Sequence, residues 1–412
     1  MAVVQTPLSG GLRREVMSRI DDPRVASRVQ AFPESVIRSM SQVAAKHGAI
    51  NLGQGFPDFD PPQEIMDAAK QAIDDGFNQY AVTWGAPPLR EALSRKLKDF
   101  NKIDTHPDRN VVVTCGATEA MMATLLSIIE PGDRIIIFEP FYENFGPDAV
   151  VSGAVPIHVP LRAPDFQPDP DAMAAAFAQK PKAVIVNTPG NPTGRIFTDA
   201  TLRLIADHCQ EHGTIAVTDE IYEHMVYDGK HHTSLATVGD MHEQTVTIGG
   251  FSKTYSVTGW RLAYTAAPDT ITDAIKRVHD FLTVGAAHPL QIAGVTALQM
   301  PQSYYTWLRE TYQEKRTVLL EGLESVGFRC HRPDSAYYIM ADFSELRPDL
   351  DDAQFAMWLT KDVGVTAIPG SSFYADKELG ARMVRFAYPK QEATLRSAVE
   401  RLEAIKSAPK AK

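Results

Sequence analysis

The chain has 412 residues, a formal net charge of -10 and 44% hydrophobic residues, enough length and apolar content for large cores in more than one domain. An acidic balance of this size excludes broad electrostatic attraction to nucleic acid or to an anionic membrane surface. Cys115, Cys209 and Cys330 are too scattered for a metal knuckle or a disulfide framework, which points to a reducing, cytoplasmic setting.

The opening "MAVVQTPLSGGLRREVMSRI" holds no apolar core of signal-peptide length, and no later run approaches a membrane span. A helical pattern around residues 34–47 is followed by the strand-like "AINLGQGF". From about 110 to 270, nearly all-apolar runs alternate with helical patterns. The runs are "NVVVT", "RIIIFE", "AVIVN", "TIAVTD", "TVTIGG" and "RLAYTA". Uniformly apolar strands are those covered on both faces, so a mainly parallel sheet with helices on both sides is expected. Ligands of such sheets bind at the carboxyl ends of the strands. Beyond residue 300 a long charged helical pattern, "SYYTWLRETYQEKRTVLLEGLESVG", precedes "FRCHRPDSAYYIMADFS", "GVTAIPG" and "MVRFAYP", an α+β texture. The expected division is a large α/β domain over 50–295 and a small α+β domain from 1–49 and 296–412, with the tail "KSAPKAK" frayed.

Polar residues follow directly after these apolar runs. In "VVVTCGATEAMM" the backbone N–H groups of Gly116, Ala117 and Thr118 open a helix, a setting that attracts phosphate; an ordinary β–α turn capped by Thr118 is the alternative. "GNPTGR" lacks the Gly-Lys-Ser/Thr ending of a P-loop, so nucleotide binding is rejected there. In "VNTPGNPTG" Asn187 and Asn191 stand either as ligand donors or as turn-capping residues. Asp219 ends "IAVTD", where a carboxylate is costly without a cation or a nitrogen heterocycle nearby; a helix N-cap is the competing account. Glu220 and His224 find no matching ligand cluster, so no metal is expected, and His231 and His232 read as a surface loop. Phe141 and Tyr142 offer packing or a stacking face for a flat ring. In "GGFSKTYSVTGWRLAY" Lys253 has no charged neighbour until Arg261, and Arg385 sits alone in an apolar strand pattern, where its planar fork suits a carboxylate. A phosphate cradle, an amide donor, an acid, an aromatic face, an isolated lysine and a carboxylate-binding arginine fit one ligand, pyridoxal 5′-phosphate (PLP).

The motifs "NLGQGFPDF", "QYAVTWGAPPLREAL", "NTPGNPTG", "TDEIY", "FSKTYSVTGWRLAY" and "VRFAYP" occur in the order found in class I aminotransferases of fold type I, which the chain resembles over essentially its whole length. "NLGQGFPDF" and "VTAIPGSSFY" resemble the branch holding kynurenine, glutamine and methionine aminotransferases and cysteine-conjugate β-lyases. The resemblance implies a mainly parallel seven-stranded sheet in the large domain, and a homodimer with shared active sites. It implies that Lys253 forms the Schiff base with PLP and, once freed, acts as general base. It places Arg261, Gly116 and Ala117 on the phosphate, with Tyr80 reaching in from the neighbouring subunit. Asp219 is implied at the pyridine nitrogen, Asn191 and Tyr222 at the phenolic oxygen, Tyr142 on the ring face, and Arg385 on the substrate α-carboxylate, helped by backbone at Gly55. One departure stands out: many relatives carry Ser three places before the lysine, and here that place is Gly250, which shifts the phosphate onto Arg261, Ser252 or Thr118.

The activity implied is amino transfer from an L-amino acid, aromatic or sulfur-containing by the branch resemblance, to a 2-oxo acid. A β-lyase acting on cysteine S-conjugates and an aspartate- or prephenate-type aminotransferase are the alternatives. A ligand sensor on this fold usually carries an added DNA-binding segment, and none is visible before residue 30. The stretch "FLTVGAAHPLQ" (281–291), expected to approach the pocket, holds no arginine, which disfavours a dedicated dicarboxylate site there.

Overall fold

The computed structural model describes residues 22–407 apart from Pro33, so the expectations for the first twenty residues and for the end of the tail lie outside the described residues. All six apolar runs are strands: β2 (Val111–Thr114), β3 (Arg134–Glu139), β6 (Ala183–Asn187), β7 (Ile215–Asp219), β8 (Thr245–Gly250) and β9 (Ala263–Ala266), numbered after the two-residue strand β1 (Ile50–Asn51). Two further strands, β4 (Val155–Arg162) and the short β5 (Gln167–Pro168), complete one eight-stranded sheet, ordered β2-β9-β8-β7-β6-β3-β4-β5. That is one strand more than expected, the addition being a two-residue edge pair. The four central pairings from β8 to β4 are parallel, and those at both ends are antiparallel. Val111, Val112, Val113, Ile135, Ile136 and Ile137 are fully buried, as strands covered on both faces must be.

A four-stranded antiparallel sheet, ordered β10-β11-β14-β13, comes from β10 (Arg329–His331), β11 (Tyr338–Asp342), β13 (Ile368–Pro369) and β14 (Met383–Ala387). β1 pairs in parallel with β12 (Val365–Thr366). The core beside this sheet takes Val36 and Met40 from helix α1 (Val36–His47) together with Tyr338, Phe343, Phe355 and Phe386. α1 starts at Ser35, whose hydroxyl accepts from the N–H of Arg38, and stops at Gly48, whose left-handed conformation a side chain would resist. Capping at that serine sets where the first turn of α1 begins, and that turn borders the cavity described next. No described helix is long and apolar enough to cross a membrane.

Candidate active site

A cavity of about 500 Å³ lies at the carboxyl ends of β6, β7 and β8. Gly55, Ala117, Thr118, Tyr142, Asn191, Asp219, Tyr222, Ser252, Lys253, Arg261 and Arg385 all line it. Gly116 stands just behind, immediately before helix α2 (Ala117–Ile128), with a φ of 89°. A Cβ on Gly116 would come within 2.2 Å of Arg261 Nη2, so only glycine lets the guanidinium lie against this helix start. Thr118 caps nothing: the N-cap position is Gly116, with no side-chain cap bond. The N–H groups of the first turn therefore remain available to an anion.

Lys253 Nζ donates to the Gly55 carbonyl at 3.2 Å. Burial, with Arg261 and Arg385 nearby, holds its amine down to about 8, against the opposing pull of Asp219. Asp219 ends β7, and its Oδ1 accepts the N–H of Ile221 at 3.1 Å; this fixes a turn, not the start of a helix. Burial raises its carboxyl to about 6 while Lys253 pulls it down, the state of an acid short of a cation.

Asn187 and Asn191 divide the two roles proposed for them. Asn187 holds the turn, accepting the N–H of Asn191 at 2.9 Å and donating to the Asp219 carbonyl at 3.0 Å. Asn191 Oδ1 instead accepts from Arg385 Nη1 at 2.8 Å. Arg385 also donates from Nη2 to the Gly53 carbonyl at 2.6 Å, and its guanidinium carbon lies 4.4 and 4.7 Å from the ring centroids of Tyr338 and Phe373. Among the described residues its buried Nε has no hydrogen-bond acceptor, and no carboxylate pairs with the guanidinium. Phe141 belongs to the core, stacked on His158, while Tyr142 faces the cavity. Tyr222 and Tyr338 share a hydrogen bond at 2.8 Å, and burial pushes both phenols up, so both are neutral donors at ordinary pH.

Two expectations change. His232 is not on the surface: its side chain is 3% exposed and its Nε2 lies 2.7 Å from Glu220, while His231 beside it is 75% exposed. Glu220, Glu223 and His232 do cluster, contrary to the sequence reading, but Lys96 fills the place beside Glu223 and Asn101 and Ser234 bind the remaining oxygens. Within the single chain the stretch 281–291 supplies none of the described cavity residues, and Phe281 is 92% exposed near the end of the helix Asp269–Thr283. Gly250 lies outside the cavity, and a Cβ there would meet Ile221 Cδ1 at 2.7 Å and Ala263 Cβ at 3.0 Å, so a larger residue would require the end of the Ile221 side chain to shift. Tyr80 is 84% exposed and does not reach this cavity.

The sequence reading passed over Asp148, on the helix α3 (Phe145–Ser152). It is 5% exposed, lines the cavity, and its Oδ2 is buried without a partner. An acid inside the apolar pattern of "FGPDAVV" was the available signal. Burial raises this carboxyl from 3.8 to about 7, so the folded protein holds the proton more tightly than the unfolded chain does. Stability is thus lost as pH rises through that window, by on the order of 4 kcal/mol once the group is fully ionised. Asp148→Asn cannot ionise. It should raise the urea midpoint at about pH 8 and leave it nearly unchanged at about pH 3, below the unfolded value. Equal midpoints at the higher pH would show that Asp148 ionises without penalty.

Residues 47–402 match the family model for aminotransferases of class I and II. The methionine aminotransferase of Escherichia coli is 33% identical over 92% of this chain and 98% of its own length. The kynurenine–oxoglutarate transaminase 3 of Mus musculus is 34% identical over 91% of this chain and 89% of its own. The solved N-succinyldiaminopimelate aminotransferase of Mycobacterium tuberculosis superposes with a TM-score of 0.90 at 34% identity, covering 92% of this chain and all of that one.

Proposed function

The chain belongs to the class I and II aminotransferases, in the branch that includes methionine and kynurenine aminotransferases, and from that premise we propose how its own residues carry out the transfer. The proposed reaction moves the amino group of an L-amino acid, aromatic or sulfur-containing, to a 2-oxo acid, with PLP bound covalently at Lys253. The observation that carries it is Lys253 itself, a buried amine held down to about 8 in a cavity it shares with Asp219, Arg261 and Arg385.

The residues present fit PLP. Arg261, the free N–H groups of Ala117 and Thr118, and the Ser252 hydroxyl would hold its phosphate, against the cradle that only Gly116 leaves open. Asp219 would face the pyridine nitrogen, Tyr142 the ring, and Asn191 and Tyr222 the phenolic oxygen. When bound, the cofactor supplies an aldehyde for the amine and a ring that takes up the electron pair left when Cα loses its proton.

Asp219 holds a proton at the ring nitrogen, since a neighbouring carboxylate favours the charged form of a base by about 1–3 pH units. Lys253 Nζ removes and returns the Cα proton; an amine titrating near 8 is deprotonated often enough near neutral pH to act as a base. Arg385 takes the α-carboxylate that donor and acceptor share, which fixes Cα relative to Nζ. Tyr80, exposed in one chain, would complete the phosphate site of a second copy, as two-fold dimers with shared sites require.

The donor preference rests on the names of the methionine and kynurenine relatives. A panel of methionine, phenylalanine, kynurenine, glutamine and aspartate, each against pyruvate, oxaloacetate and 2-oxoglutarate, tests it. Each turnover should give one new amino acid per donor consumed, with the aromatic and sulfur donors fastest, from a protein that sediments as a dimer. Pyruvate and ammonia released from a cysteine S-conjugate without any acceptor would assign β-elimination instead.

A further inference from the structure

Given the transaminase reading, one cation of the cavity has no partner among the described residues. We propose that Arg38 recognises an anionic group at the far end of the acceptor side chain, a distal carboxylate, and so selects for 2-oxo acid acceptors with two acid groups.

Arg38 lies in the first turn of α1 and lines the same cavity as Lys253 and Arg385. Every other cation in that cavity has an acceptor. Lys253 has the Gly55 carbonyl, Arg261 the Thr258 carbonyl, and Arg385 has Asn191 and Gly53. The Arg38 guanidinium makes no hydrogen bond or ion pair with any described residue, and no acidic residue shares its turn.

The remaining charges leave it unmatched as well. Arg261 goes to the phosphate, Asp219 to the ring nitrogen and Arg385 to the α-carboxylate. Two further acids line the cavity, Glu143 and Asp148. The Glu143 carboxylate accepts the Ser35 hydroxyl and lies beyond ion-pair distance of Arg38. Asp148 is buried without a partner, and burial keeps it largely protonated up to about pH 7. A ligand whose α-carboxylate is gripped by Arg385 shares the cavity with an exposed guanidinium that no described residue pairs. The planar fork of arginine fits a carboxylate there with two parallel hydrogen bonds. This is the cation that the stretch 281–291 does not provide, supplied by another segment of the chain.

The test compares two acceptors of equal length, 2-oxoglutarate and 2-oxopentanoate, which differ by a carboxylate in place of a methyl group. With the holoenzyme, Arg38→Gln should lower kcat/KM for 2-oxoglutarate by roughly 5- to 20-fold and leave 2-oxopentanoate within about twofold, because a partly exposed charge pair is modest in strength. Arg38→Lys should fall between. Calorimetry with glutarate, which has no oxo group to react, should show weaker binding to Arg38→Gln by a similar factor, and the difference should shrink as salt is added. Equal losses on both acceptors would overturn the proposal by reducing Arg38 to a structural part of α1. Unchanged glutarate affinity would overturn it too. A wild-type protein that transfers no amino group at all would sink the transaminase reading, and glutarate calorimetry would still decide the part of Arg38.

Discussion

Replacing Lys253 with alanine should abolish turnover, by at least about four orders of magnitude, because one amine serves as both nucleophile and base. Its surroundings make the prediction sharp. Burial and two nearby guanidinium groups hold the amine down to about 8, far below the ordinary 10.5. Such a depression disfavours the charged amine in the folded state, by on the order of 3 kcal/mol at a pH below that value. The penalty is present at low pH and disappears as pH rises through the unfolded value. Removing the amine should therefore leave the melting temperature near pH 7 unchanged or higher, even though activity is gone. Lys253→Arg is the companion variant. It keeps the positive charge but cannot lose its proton, so it should be as inactive as the alanine form. Assays of kcat with matched thermal melts would decide. More than about a tenth of wild-type activity in either variant would remove Lys253 from the chemistry.

How much of this site was legible in the chain depends on where each residue gets its neighbours. The central strands were plain because burial on both faces leaves no room for polar residues, and β3, β6 and β7 read as unbroken apolar runs. β4 was missed. Pro156, His158 and Pro160 interrupt its pattern, and proline is tolerated because the strand lies next to the sheet edge, paired on one side only with the two-residue β5. Lys253 and Arg385 stood out as lone charges in apolar surroundings, and the family resemblance supplied their roles. His232 had no such signal. It looks like its neighbour His231, and only the fold, through Glu220, Asn101 and Ser234, decides that one imidazole turns inward. Arg38 was hidden for a similar reason. On an amphipathic helix a single arginine is what any solvated face carries, and its place at the cavity follows from how α1 docks.

The second large effect is expected at Arg385. Its guanidinium is 1% exposed and spends two of its N–H groups on neutral acceptors, Asn191 Oδ1 and the Gly53 carbonyl. The Nε–H has no acceptor, and the guanidinium no carboxylate partner, among the described residues. A buried cation in this condition is costly in the empty protein and is relieved when a carboxylate arrives. Asn191 and Gly53 accept from the fork, and the Tyr338 and Phe373 ring centroids lie 4.4 and 4.7 Å from the guanidinium carbon. Arg385→Lys keeps the charge but loses the planar fork and its contact with the two rings. Losing one charge-assisted hydrogen bond costs roughly 1.5–3 kcal/mol, so kcat/KM should fall by about one to two orders of magnitude. Donor and acceptor should suffer alike, because each carries the α-carboxylate, and this separates Arg385 from Arg38, whose loss should be felt only by substrates with a distal acid. Arg385→Ala should be worse for turnover, since it leaves the substrate carboxylate without any partner in a buried place. Retention of cofactor, read from visible absorbance after gel filtration, should be nearly unchanged in both variants, because the proposed phosphate contacts lie at Arg261, Ser252 and the start of α2. A lysine variant that sheds its cofactor while binding substrate normally would place Arg385 in the cofactor site or the core, and would refute its assignment to the α-carboxylate.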